Sequence, residues 1–116
     1  MISPPLSPYR RAGDLVFVSG QLGVVDGGLV PGGIADETRQ TIRNLASVLT
    51  DAGASLGDVV KTTVFLASLA DWPAMNEVYA EEFGTPFPAR SVIEALLVAG
   101  ARVEIEAVAV VGSRIG

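Results

Sequence analysis

Arg90, in the stretch PFPARSV, and Glu104 and Glu106, in VEIEAV, are the side chains of this sequence best suited to chemistry. They stand out because the chain has no His and no Cys. That removes the commonest general base, thiolate nucleophiles, disulfides and zinc sites built on sulfur. Any enzyme made from this sequence must work mainly with arginine and carboxylates. A planar guanidinium offers a carboxylate two parallel, charge-assisted hydrogen bonds. A suitably placed glutamate can accept a proton from water. The same residues also fit a plainer arrangement, with Arg90 at a sheet edge paired to Glu104 or Glu106. Glu104 would then be one member of a solvated strand face, Arg102-Glu104-Glu106.

The elements that must hold these side chains can be read from hydrophobic periodicity. DLVFVSGQLGVV is rich in β-formers, and VDGGLV carries a hairpin signal in which Asp26, Gly27 and Gly28 can take positive φ. Two or three antiparallel strands are expected there. From Asp36, Ile42, Leu45, Leu49 and Ala52 recur at helical spacing. They predict a helix of about four turns, capped by Asp36 and ended by Gly53. VVKTTVFL alternates between Val60, Thr62, Val64 and Leu66 and their neighbours, and with no Gly or Pro it reads as an interior strand. Asp71 then begins a second helix that tolerates Pro73 in its first turn. It carries Trp72, Met75, Tyr79 and Phe83 along one face and stops at Gly84 and Pro86. PFPARSVIEAL and RVEIEAVAVV are expected to form an antiparallel pair, the second with Val103, Ile105 and Ala107 opposite its charged face.

This order predicts a single α+β domain over residues 1–116, a two-layer sandwich with a mixed, mainly antiparallel sheet and both helices packed on one face. The other sheet face then needs a cover. Apolar residues make up 49%, and counting the 13 glycines while leaving out the two tyrosines gives about 59%, above the roughly 45–50% usual on that basis. An oligomer whose subunits cover the open faces, a trimer being the economical closed ring, accounts for both features. No apolar stretch approaches the roughly 20 residues of a membrane span, and MISPPLSPYRRAG has no hydrophobic signal core, so a cytoplasmic location is expected. A net charge of −5 with little clustering of Lys and Arg makes nucleic acid an unlikely partner.

DLVFVSGQ, GASLGDVVKTTVFL, MNEVYAEEFG, PARS and VEIEAVAV occur in an order that resembles the Rid family, the YjgF-like reactive intermediate deaminases. The likeness runs from about Gly13 to Val111. It implies a chorismate-mutase-like fold, a homotrimer with active sites between subunits, and cofactor-free, metal-free hydrolysis of enamines and imines such as 2-aminoacrylate to a 2-keto acid and ammonia. It assigns Arg90 to the substrate carboxylate and Glu104 to orienting the attacking water or the leaving ammonia, with Asn76 near the ligand. Ser19 and Gly20 line the cleft, and Tyr9 matches a lining tyrosine. Such chemistry needs little apparatus: positioning alone can be worth about 7–11 kcal/mol at its most favourable.

The chain also departs from the family pattern. SPYRRAG replaces the frequent GPYSQA, putting Arg10 and Arg11 where relatives carry small polar groups. Val92 stands where many relatives have Cys, which excludes any role for that thiol. The loop between Ser91 and Glu104 is one residue shorter. These changes fall at the substrate end of the pocket. Two other functions fit the resemblance less fully: a regulatory trimer that binds small carboxylates without turnover, and an endoribonuclease.

Overall fold

The structure, a computed structural model, describes residues 4–112. Its strands are β1 (Tyr9–Ala12), β2 (Leu15–Gln21), β3 (Val24–Val25), β4 (Gly28–Leu29), β5 (Val59–Leu66), β6 (Ala89–Glu94) and β7 (Val103–Val110), and its helices are α1 (Ile34–Asp51) and α2 (Trp72–Phe83). The main sheet has the order β1-β2-β7-β5-β6; β3 and β4 form a separate hairpin. All neighbours in the main sheet are antiparallel except β5 and β6. This is the α+β architecture expected from the element order.

The core lies between this sheet and the two helices. Val16 and Val18 of β2, Val64 and Leu66 of β5, and Val103, Ile105, Ala107 and Ala109 of β7 meet Ile42, Leu45 and Leu49 of α1 and Met75 and Tyr79 of α2. Each large side chain fully buried here contributes roughly 1.5–3 kcal/mol. Among the described residues no layer covers the opposite sheet face, and Leu15, Phe17 and Ile93 stand exposed. Two ion pairs tie the helices together, Arg39 to Glu81 at 3.6 Å and Arg43 to Glu82 at 3.4 Å.

Several expectations are met. β5 is interior, with Thr62, Val64 and Leu66 buried along its inner face. The hairpin turn places Asp26 at φ 52° and Gly27 at φ 82°, as a tight two-residue connection requires. Three details differ. β6 and β7 are not a hairpin. β5, α2 and β6 form a crossover that puts β6 parallel to β5 at the sheet edge, while β7 lies between β2 and β5. A helix between two strands favours this parallel return, and a strand with four buried inward residues gains from a neighbour on each side. Asp36 does not cap α1, which begins at Ile34 with Gly33 as its N-cap. Its carboxylate lies in the first turn and meets Arg39 at 3.2 Å, still at the favourable end of the helix dipole. Finally, β1 is a strand that sequence reading left out, because the exposed pair Arg10-Arg11 hides its pattern. Charged side chains of this kind protect a sheet edge from pairing with other chains.

Candidate active site

Arg90 enters the fold at the second position of edge strand β6, in register with Thr62 of β5. Thr62 faces the helices, so Arg90 does too. An edge strand lets a guanidinium be half-buried without full desolvation. Its central carbon lies 4.8 Å from the ring centre of Tyr79 and 5.4 Å from that of Trp72. Such stacking contributes about 0.5–2 kcal/mol per contact and orients the planar fork. Among the described residues Arg90 makes no ion pair with Glu104, Glu106 or any other carboxylate. The sheet-edge pairing that the sequence left open is therefore not formed.

Asn76, Tyr79, Phe87 and Arg90 line a cavity of about 250 Å³. Tyr79 is anchored through its hydroxyl, 2.7 Å from Thr62 Oγ1. Burial raises its pKa, opposed in part by the Thr62 hydrogen bond and the charge of Arg90, so the phenol stays neutral at physiological pH. The carbonyl oxygen of Asn76 is buried and has no hydrogen-bond partner. A buried acceptor left open costs about 1–3 kcal/mol, and an N–H group bound in this cavity would satisfy it. Arg90, Asn76 and the aromatic wall together can hold a small molecule bearing a carboxylate and a nitrogen.

Glu104 lies elsewhere. It pairs in register with Phe65 of β5 and points to the open sheet face, while Val103 and Ile105 beside it are buried. The β2–β7 register shifts between Val18 and Gln21. In that irregular stretch Gly20 packs directly on the Glu104 carboxylate, where a Cβ would collide with it. The carboxyl pKa of Glu104 is raised, first by burial and then by the charge of Glu106. Glu106 itself is exposed. Ser19 adjoins this group, its hydroxyl donating to the Ser7 carbonyl at 2.6 Å and its N–H to the Pro8 carbonyl at 3.0 Å.

The residues singled out by sequence thus form two clusters: Arg90 with Asn76 under α2, and Glu104 with Gly20 and Ser19 on the open face. Two strand spacings and three residues of rise separate Arg90 from Glu104, roughly 14 Å between Cα positions, with the side chains on opposite faces. Tyr9 joins neither cluster within the chain, since its hydroxyl donates to the Asp51 carbonyl at the end of α1, at 3.4 Å. Val92 packs against the core. Trp72, Tyr79 and Phe87 were not anticipated as site residues. The signal was present, since Trp72 and Tyr79 are seven residues apart and share a helix face, but that face reads first as core.

The family model described as Endoribonuclease L-PSP matches residues 2–111. The chain belongs to this family, the Rid proteins. Among Rid relatives, the mitochondrial protein mmf2 of Schizosaccharomyces pombe is 48% identical over 109 residues, covering 88% of this chain and 86% of its own length. The human 2-iminobutanoate/2-iminopropanoate deaminase is 42% identical over 113 residues, covering 92% and 82%. The crystal structure of Escherichia coli TdcF with bound serine superposes with a TM-score of 0.86 at 34% identity, covering 94% of this chain and 90% of that one. No helix among the described residues is long and apolar enough to cross a membrane.

Proposed function

We propose that this Rid protein hydrolyses 2-imino acids and their enamine tautomers to 2-keto acids and ammonia, in a cleft between subunits of a homotrimer and without a cofactor. The observation that carries this reading is the split of the candidate residues. Arg90 and Asn76 occupy one face of the sheet and Glu104 the other, so one small substrate can meet both only if a second copy brings its Arg90 edge to the open face of the first. The uncovered apolar face supplies a surface for that copy. The name of the human relative and the amino acid bound to TdcF supply the substrate class.

In the assembled cleft the Arg90 fork holds the substrate carboxylate, and the open Asn76 oxygen accepts from the imine N–H. Water, its proton accepted by Glu104, adds to the C=N carbon to give a carbinolamine. Glu104 returns that proton to nitrogen, then takes the carbinolamine hydroxyl proton and passes it to the same nitrogen as the C–N bond breaks, so that ammonia leaves and the 2-keto acid remains. Arg90 acts by position alone. The description attached to the family model names RNA cleavage instead; a charge of −5 and the lack of His weigh against it.

The test adds purified protein to an amino-acid oxidase reaction and follows imine loss. Glu104→Gln is expected to slow turnover by about 10²–10⁴-fold while leaving oligomer and ligand binding intact. Arg90→Ala is expected to abolish both binding and turnover, and Arg90→Lys to weaken binding although charge is kept. Glu106→Gln serves as the control. Equal rates for Glu104→Gln and the unmodified protein would remove Glu104 as the base.

A further inference from the structure

A further cavity lies at neither cluster. It has a volume of about 520 Å³ and lies over the β1–β2 edge, lined by Leu6, Ser7, Arg10, Phe17 and Ser19 among others. Arg10 pairs in register with Phe17, so its side chain projects on the open face of the sheet, two residues along from Ser19. Ser19, which lines this cavity, directly precedes Gly20, the residue that packs on the Glu104 carboxylate. The Ser19 hydroxyl already donates to the Ser7 carbonyl, and among the described residues that line the cavity the one cation is Arg10. That guanidinium is exposed and uncommitted among the described residues. Arg39, Arg43 and Arg102 each meet a carboxylate, and Arg11 donates to the Gly13 carbonyl at 2.9 Å. Phe17 also lines the neighbouring cavity that holds Lys61 and Glu106 and stands beside Arg10 as an apolar wall.

We propose that Arg10 is a specificity-determining residue, which selects 2-imino acids whose side chain ends in a second carboxylate. The inference rests on the proposed imine hydrolysis. Arg90 anchors the α-carboxylate from one subunit, Glu104 works at the C=N carbon from the next, and the side chain of the substrate extends past Ser19 toward Arg10. On a chain of charge −5 a dianion is repelled in general, so a local guanidinium is needed to accept the second charge. The step itself is unchanged: water is consumed, the C–N bond breaks and ammonia leaves, with no other co-reactant.

The experiment compares kcat/KM for 2-iminoglutarate and 2-iminopropanoate, each made in place by an oxidase, in the unmodified protein, Arg10→Gln and Arg11→Gln. The ratio favouring 2-iminoglutarate is expected to fall about tenfold in Arg10→Gln, about 1.4 kcal/mol, and to stay unchanged in Arg11→Gln. The same comparison is made by calorimetry with the products 2-oxoglutarate and pyruvate. An unchanged ratio in Arg10→Gln, in rates or in binding, overturns the role of Arg10 while leaving imine hydrolysis standing. Absence of turnover on every imine overturns the hydrolytic reading instead, and the calorimetric ratio then still decides for or against Arg10.

Discussion

Burial raises the Glu104 carboxyl above the usual range for glutamate, and the charge of Glu106 on the same strand face raises it further. The sign of the consequence follows from the role. A general base works only when ionised, so turnover falls as pH drops through this raised value, at a higher pH than an ordinary glutamate would impose. A pH profile of kcat is expected to show one acidic limb, moved to lower pH in Glu106→Gln because one of its two causes is removed, and absent in Glu104→Gln. An acidic limb that persists in Glu104→Gln would assign the titration to another group. Stability runs the opposite way. The folded chain binds this proton more tightly than the unfolded chain, so the contribution is fully present below the unfolded pKa and is lost as pH rises through the folded one. Arg90 contributes by geometry. What it needs is orientation, supplied by the rings of Trp72 and Tyr79, and an ammonium in its place would lose the fork.

At the scale of elements, the irregular stretch of β2 sets Glu104 apart from Glu106. Gly20 lets the Glu104 carboxylate lie against the backbone, and Gly20→Ala would drive a methyl group into it. The expected result is a loss of turnover of at least tenfold with the oligomer retained; native turnover in Gly20→Ala would detach Glu104 from the reaction. The sequence pattern alone could not choose between Glu104 and Glu106, because alternation places both on one face and only the β2–β7 register brings Gly20 to one of them. Local periodicity did reveal α1, α2 and β5, where apolar spacing and burial coincide. It failed for the partners of β6 and β7, since strand order depends on the crossover through α2 rather than on the strands themselves. It failed again for β1, whose two arginines suit an exposed edge. Arg90 was legible from its type and neighbours. Its aromatic bracket was not, because Tyr79 belongs to the core and also lines the candidate cavity.

At the scale of the whole molecule, one sheet face is covered by two helices and the other carries Leu15, Phe17 and Ile93 in the open, with Leu96 and Val98 exposed on the loop after β6. Apolar surface on this scale, in a chain whose two candidate clusters face opposite ways, argues that the working unit is an oligomer. Light scattering at micromolar concentration is expected to give a trimer, but mass alone does not locate the site. Mixing does. If each site takes Arg90 from one subunit and Glu104 from the next, then inactive Arg90→Ala and inactive Glu104→Gln chains, unfolded together and refolded at equal amounts, form mixed trimers. An intact site arises wherever a Glu104→Gln chain offers its Arg90 to an Arg90→Ala chain that offers its Glu104. Random assembly gives that pairing in about a quarter of the sites of closed rings, so about a quarter of the native rate returns. A site built within one chain predicts the opposite, because every chain in the mixture is defective and no arrangement repairs it. Recovery is read as initial imine hydrolysis, with subunit mixing verified by native mass spectrometry. Mixed trimers that stay as inactive as their parents would rule out the shared site.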